Sequence, residues 1–192
     1  LEAYFAIPTM GAILHTINFR LSPEHLIYII NHAEDKVILV DETVLPVLEG
    51  VAGHLKTVKA FIVMTDKPEL PQTKLNSVYS YETLIDEDDG QFEFLEDIGE
   101  NEPAGMCFTS ATTGNPKGVE YTHRALFLHS MALGLADTLA LAEMDSVLPV
   151  VPMFHVNAWG LPFAATMLGT KQVLPGPMPT PKDLLQLITD EK

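Results

Sequence analysis

Phe108–Arg124 reads FTSATTGNPKGVEYTHR, setting four hydroxyl side chains (Thr109, Ser110, Thr112, Thr113), two glycines (Gly114, Gly118), Pro116 and Lys117 between an apolar run and a helix start. Such a stretch suits an anion. Backbone N–H groups of a tight glycine-containing turn can converge on anionic oxygens, hydroxyls add donors or reach a cation, and a lysine supplies a mobile point charge. Pro116 fixes one φ angle and stiffens the loop in advance. Immediately upstream, Ala104–Phe108 (AGMCF) reads as a buried strand ending at the loop. Downstream, Val119–Tyr121 reads as a short extended piece and Thr122 as the cap of a helix from His123 to about Leu139, with Leu126, Met131 and Leu135 buried. A strand that runs into an anion-binding loop and then a helix is an arrangement of α/β proteins.

The loop is not a Walker A motif, in which lysine directly follows the second glycine and Ser or Thr follows the lysine. Here the order is Gly114-Asn115-Pro116-Lys117-Gly118. A second informative stretch, Val150–Pro162, reads VVPMFHVNAWGLP. A histidine among apolar residues is most often a satisfied core group, and a tryptophan four residues on is often core filler.

The loop resembles the signature [YF]-T-S-G-T-T-G-x-P-K-G-V of the adenylate-forming, AMP-binding superfamily, and PMFHVNAWG resembles that superfamily's P-[ML]-F-H-x-x-x-W/G motif. FHVNAWGLP, LEAYFAIPTMGA, NHAEDKVILVD, THRALFLHSMALG and AATMLGTKQVLPGP are all similar to the bacterial medium- and long-chain fatty acyl-CoA synthetases, so the resemblance covers essentially the whole chain. It implies an ATP-dependent fatty-acid–CoA ligase that forms an acyl-adenylate and passes the acyl group to CoA. By that resemblance Thr109 helps hold Mg²⁺, and Ser110, Thr112, Thr113, Gly114 and Lys117 enclose the β- and γ-phosphates of ATP. Val156 counts with the nucleotide-binding positions and starts a helix, His155 is the catalytic group against the acyl carboxylate, and Trp159 walls or gates the acyl pocket. The signature's glycine between Ser and Thr is Ala111 here. That alanine is strained at φ > 0 and harmless at φ < 0.

Residues 1–192 then read as part of a large N-terminal AMP-binding domain, without the adenine- and ribose-binding motifs or the small C-terminal domain that carries the family's catalytic lysine. The isolated piece is expected to be inactive. An aryl-CoA ligase or a peptide-synthetase adenylation domain is disfavoured by HVNAW, and a P-loop NTPase by the lysine spacing. A non-catalytic truncated homologue has only Ala111 in its favour.

The rest of the chain suits this frame. A composition that is 47% hydrophobic can fill a core, and a formal charge of -15 argues against nucleic acid or an anionic membrane as partner. One cysteine, Cys107, excludes an internal disulfide framework, fits a cytoplasmic location and reads as a buried, inert thiol. Ser146–Thr170 carries no formal charge, but Pro149, Pro152, Pro162, His155 and Asn157 interrupt it, so no transmembrane segment is expected. A homodimer is left open. His123 and His129 lie on different helical faces and do not suggest a metal site.

The expected fold is α/β, with mostly parallel sheet layers flanked by helices. Strands are expected at 36–41, 58–64, 104–108 and 146–151. Helices are expected over the apolar N-terminal stretch through His15, from Pro23 to about Ala33, from about Glu42 to Leu55, and from Pro181 to Thr189. An acidic linker is expected at about 66–99, with only YETLI ordered.

Overall fold

The computed structural model describes residues 1–109, 114–176 and 178–191. They form two compact units, one of residues 1–16, 94–107 and 119–192 and the other of residues 17–93 and 108–118. The chain begins with helix α1 (Glu2–Thr9), shorter than expected. Gly11, at φ +77°, ends it, and Leu14–His15 forms strand β1. An apolar run with no polar period reads equally as helix or strand, and here the glycine divides it.

The second unit is built on a parallel sheet of three strands. Ser22 accepts from the His25 N–H and Pro23 occupies the first turn, so α2 (Pro23–His32) starts where the sequence marks it. Strand β2 (Val37–Asp41) pairs in parallel with β3 (Ala60–Met64), Ile38 opposite Phe61 and Val40 opposite Val63. The helix expected over 42–55 is instead α3 (Leu45–Glu49) flanked by 3-10 turns at 42–44 and 52–54. Pro46 confines helix to its own first turn, and Gly50 and Gly53 weaken any continuation. Ile29, Ile30, Val51 and Val63 are buried to about 1% exposure or less at the centre of this core. Each such side chain contributes about 1.5–3 kcal/mol.

The stretch read as linker is ordered beyond YETLI. It holds strand β4 (Val78–Ser80), which extends the sheet in parallel beside β3, and α4 (Tyr81–Glu87), capped by Ser80. Leu75 joins the core. At three residues, Val-Tyr-Ser, β4 is too short to show a strand period in the sequence.

Strand β5 (Pro103–Phe108) lies between β1, its parallel partner, and β6 (Gly118–Thr122). Thr122 caps α5 (His123–Leu133), which stops six residues earlier than expected, at Gly134. Its buried positions are Ser130 and Leu133, whereas Met131 and Leu135 are 50% and 61% exposed. The strand expected over 146–151 shrinks to β7 (Ser146–Val147), because Pro149 and Pro152 offer no ladder N–H. Its parallel partner is β8 (Lys171–Gln172). Between them run α6 (Val156–Trp159) and α7 (Leu161–Leu168). A full capping box between Thr180 and Asp183 opens α8 (Pro181–Asp190). No helix among the described residues is long and apolar enough to cross a membrane.

Candidate active site

In the second unit the anion loop is clasped at its base. The Thr109 N–H donates to the Lys117 carbonyl at 2.9 Å, and the Lys117 N–H returns a bond to Thr109 Oγ1 at 3.2 Å. Pro116 is fully buried beneath the loop. A Cβ on Gly118 would stand 3.2 Å from Phe108 Cζ, so the ring leaves little room for a side chain there. Gly114 sits at φ +78° with nothing near a notional Cβ, so conformation rather than space makes glycine fit there. Thr109, Gly114 and Lys117 are exposed. Thr109 Oγ1 spends one lone pair on the Lys117 N–H and keeps another for a cation. A Mg²⁺–phosphate group therefore fits the exposed oxygen and the neighbouring ammonium in kind. Ser110, Ala111, Thr112 and Thr113 lie outside the described residues.

In the first unit the FHVNAWG stretch departs from the expected right-handed helix. Val156, Asn157, Ala158 and Trp159 have φ of +50°, +49°, +49° and +60°, and Gly160 follows at +69°. Each non-glycine residue in this left-handed region costs about 1–2 kcal/mol, so tertiary contacts must hold the turn. Three are visible. Tyr4 on α1 donates from its hydroxyl to the Met153 carbonyl at 2.6 Å. Asn157 Oδ1 accepts from Thr16 Oγ1 at 3.1 Å and from Cys107 Sγ at 3.2 Å. Finally, His129 Nε2 bonds the Trp159 carbonyl at 3.0 Å, and because a carbonyl only accepts, that nitrogen carries a proton.

The turn sorts its side chains. Asn157 and Ala158 are buried, while His155, Val156 and Trp159 are exposed, Trp159 at 61%. At that exposure the indole is not core filler in this unit. Thus the structure brings Thr109 together with Lys117, and sets His155, Val156 and Trp159 on one turn.

Sequence reasoning missed Tyr4, Thr16, Asn157 and His129 as its supports; Cys107 is buried as expected, and its thiol also bonds Asn157. The available signal was Asn157 itself, an amide in an otherwise apolar run. No cluster of metal-ligating side chains occurs among the described residues.

Burial pushes the Tyr4 phenol above its ordinary pKa of 10.0. Below that value tyrosine is protonated in both folded and unfolded chains; above it the unfolded chain ionises first, so this contribution to stability is lost as pH rises. Tyr4→Phe is expected to cost about 1 kcal/mol at neutral pH, through the lost bond to Met153. It should also flatten the loss of stability above pH 10.0, which urea titrations at neutral and alkaline pH would measure.

The family model described as AMP-binding enzyme matches residues 1–192. The chain belongs to the AMP-binding enzyme family. It is 53% identical over 191 residues to the long-chain-fatty-acid–CoA ligase of Thermus thermophilus, covering 100% of this chain and 34% of that protein. To the medium-chain-fatty-acid–CoA ligase of Ectopseudomonas oleovorans it is 48% identical, covering 100% of this chain and 35% of the relative. The chain thus spans about a third of the length of these relatives. Among solved structures, a long-chain-fatty-acid-CoA ligase from Archaeoglobus fulgidus superposes with a TM-score of 0.80 at 24% identity, covering 97% of this chain and 34% of that one. The N-terminal domain of FACL13 from Mycobacterium tuberculosis does so with 0.74 at 22% identity, covering 98% of this chain and 44% of that one. These likenesses establish the AMP-binding fold.

Proposed function

We propose that the chain is part of an AMP-forming fatty-acid–CoA ligase. The observation that carries this reading is the match, across 100% of the chain, to two curated fatty-acid–CoA ligases at 53% and 48% identity. Family membership alone would leave the acid open; these two relatives support a fatty acid, of medium or long chain, as the reading to test. In the whole protein a carboxylate oxygen attacks the α-phosphorus of ATP, the new P–O bond forms as pyrophosphate leaves, and the CoA thiolate then attacks the acyl carbon and expels AMP.

For the first step this chain's residues bind and orient. Lys117 offers its ammonium to the terminal phosphates, alongside the hydroxyls of Ser110, Thr112 and Thr113 and the Gly114 backbone. Charge placed in advance where charge develops is the main source of acceleration in such transfers. The exposed Thr109 hydroxyl would hold Mg²⁺, which neutralises phosphate charge when bound. His155 donates a hydrogen bond to the carboxylate or its adenylate, Val156 lies with it on the nucleotide side, and Trp159 walls the acyl chain. A cytoplasmic location and a homodimer belong to the same reading.

Carboxylate-dependent exchange of labelled pyrophosphate into ATP by the intact protein tests it. Octanoate, laurate or palmitate should support exchange, with CoA converting the product to a thioester. Exchange confined to benzoates or amino acids, or absent with every acid, would refute the fatty-acid reading.

A further inference from the structure

The left-handed turn at 156–159 has a fixed end and a movable end. At the fixed end Asn157, 2% exposed, is tied to Thr16 by a part-buried hydrogen bond and to Cys107 by a buried one. At the other end the Trp159 carbonyl is held by His129, an exposed side chain on α5. Solvent can compete for that bond and open it. Gly160 completes the arrangement. A Cβ there would meet His129 Cδ2 at 2.6 Å and Nε2 at 2.9 Å, so the imidazole occupies the space where the side chain of residue 160 would stand. The ring packs into that slot and bonds the preceding carbonyl, and these contacts set where the peptide after Trp159 lies and hence where the indole points.

We propose that His129 is a positioning residue for Trp159, acting through the Trp159 carbonyl and the vacancy at Gly160, and that it thereby sets the acyl preference of the ligase. The second half of this inference rests on the proposed role of Trp159 in the acyl pocket. In this role His129 acts on the turn, through the Trp159 carbonyl, and not on the reacting atoms. With the clip closed, the turn keeps its left-handed form and the indole has one resting place. With it open, residues 158–160 are free to relax toward right-handed φ while Asn157 stays anchored, and the indole swings.

The test uses the intact protein labelled with 5-fluorotryptophan, the Trp159 resonance being assigned by its loss in Trp159→Phe. His129→Leu keeps bulk and removes the donor; it should shift or broaden that ¹⁹F resonance and change the ratio of kcat/KM for octanoate over palmitate by about tenfold, leaving the KM for ATP near its starting value. His129→Gln, which restores an amide donor, should return both toward the parent. Should His129→Leu fail to fold, Gly160→Ala displaces the imidazole from the other side and should reproduce its effects. An unmoved ¹⁹F resonance in either folded variant overturns the positioning role. A resonance that moves while the acyl ratio changes only in Trp159→Ala overturns the link to specificity. If the ratio moves in neither, His129 still positions Trp159 and it is the acyl-wall reading that fails.

Discussion

Lys117→Ala in the intact protein is expected to lower fatty-acid-dependent pyrophosphate exchange by about a hundredfold, the scale of losing one well-placed charged donor. Its melting temperature should hardly change. The side chain of Lys117 is exposed, and the two bonds that close the loop, Thr109 N–H to the Lys117 carbonyl and Lys117 N–H to Thr109 Oγ1, both use backbone atoms of residue 117. Alanine keeps both. Pro116 stays buried and Gly118 stays under the Phe108 ring, so the loop's shape survives the loss of the ammonium. Surface changes of this kind cost within about 0.5 kcal/mol. Exchange kinetics beside thermal denaturation check the split. A parallel fall in stability and activity would show that Lys117 supports the fold instead of the phosphates.

Trp159→Ala should change chain-length preference more than it changes stability. The indole is 61% exposed, so truncating it forfeits little burial, and alanine retains the Cβ that the φ of +60° already strains. Each methylene accommodated in an apolar channel is worth about 0.8 kcal/mol, so a pocket enlarged by an indole should alter the kcat/KM ratio between octanoate and palmitate by more than about tenfold. The larger opening should also let acids enter before ATP is bound, visible as a loss of ordered addition in initial-rate kinetics. Trp159→Gly is the companion variant: it removes the same ring but relieves the left-handed strain, so it should open the pocket equally while being more stable than Trp159→Ala. An unaltered acid profile in both would remove Trp159 from the pocket.

Both experiments depend on features of unequal visibility. The loop from Thr109 to Gly118 stood out because hydroxyls, glycines and one lysine lie close together in the chain, the residue types that a proposed phosphate site needs. The caps at Ser22, Thr122 and Thr180 were legible for the same reason, since a cap is satisfied three residues away. Strands β2 and β3 announced themselves by β-branched runs between turn residues. Helix lengths were less legible. The apolar positions of α5 continue past Leu133, so nothing local says that Met131 and Leu135 lie exposed.

The amino-acid sequence by itself determined the α/β class, the parallel strands β2 and β3 and the family, because each rests on residues within a few positions of one another. Only the tertiary structure decided the form of the FHVNAWG turn. Val, Ala and Trp have no local preference for the left-handed region, and Asn157, which tolerates it, visits it as a single residue and not in a run of four, so an ordinary helix from Val156 was expected. The hydrogen bonds that hold the turn come from Tyr4, 149 residues from its acceptor Met153, from Thr16, 141 residues from Asn157, and from His129, 30 residues from Trp159. A conformation costing about 1–2 kcal/mol per residue exists where distant donors outweigh that cost, and such distances are set only when the strands and helices have packed.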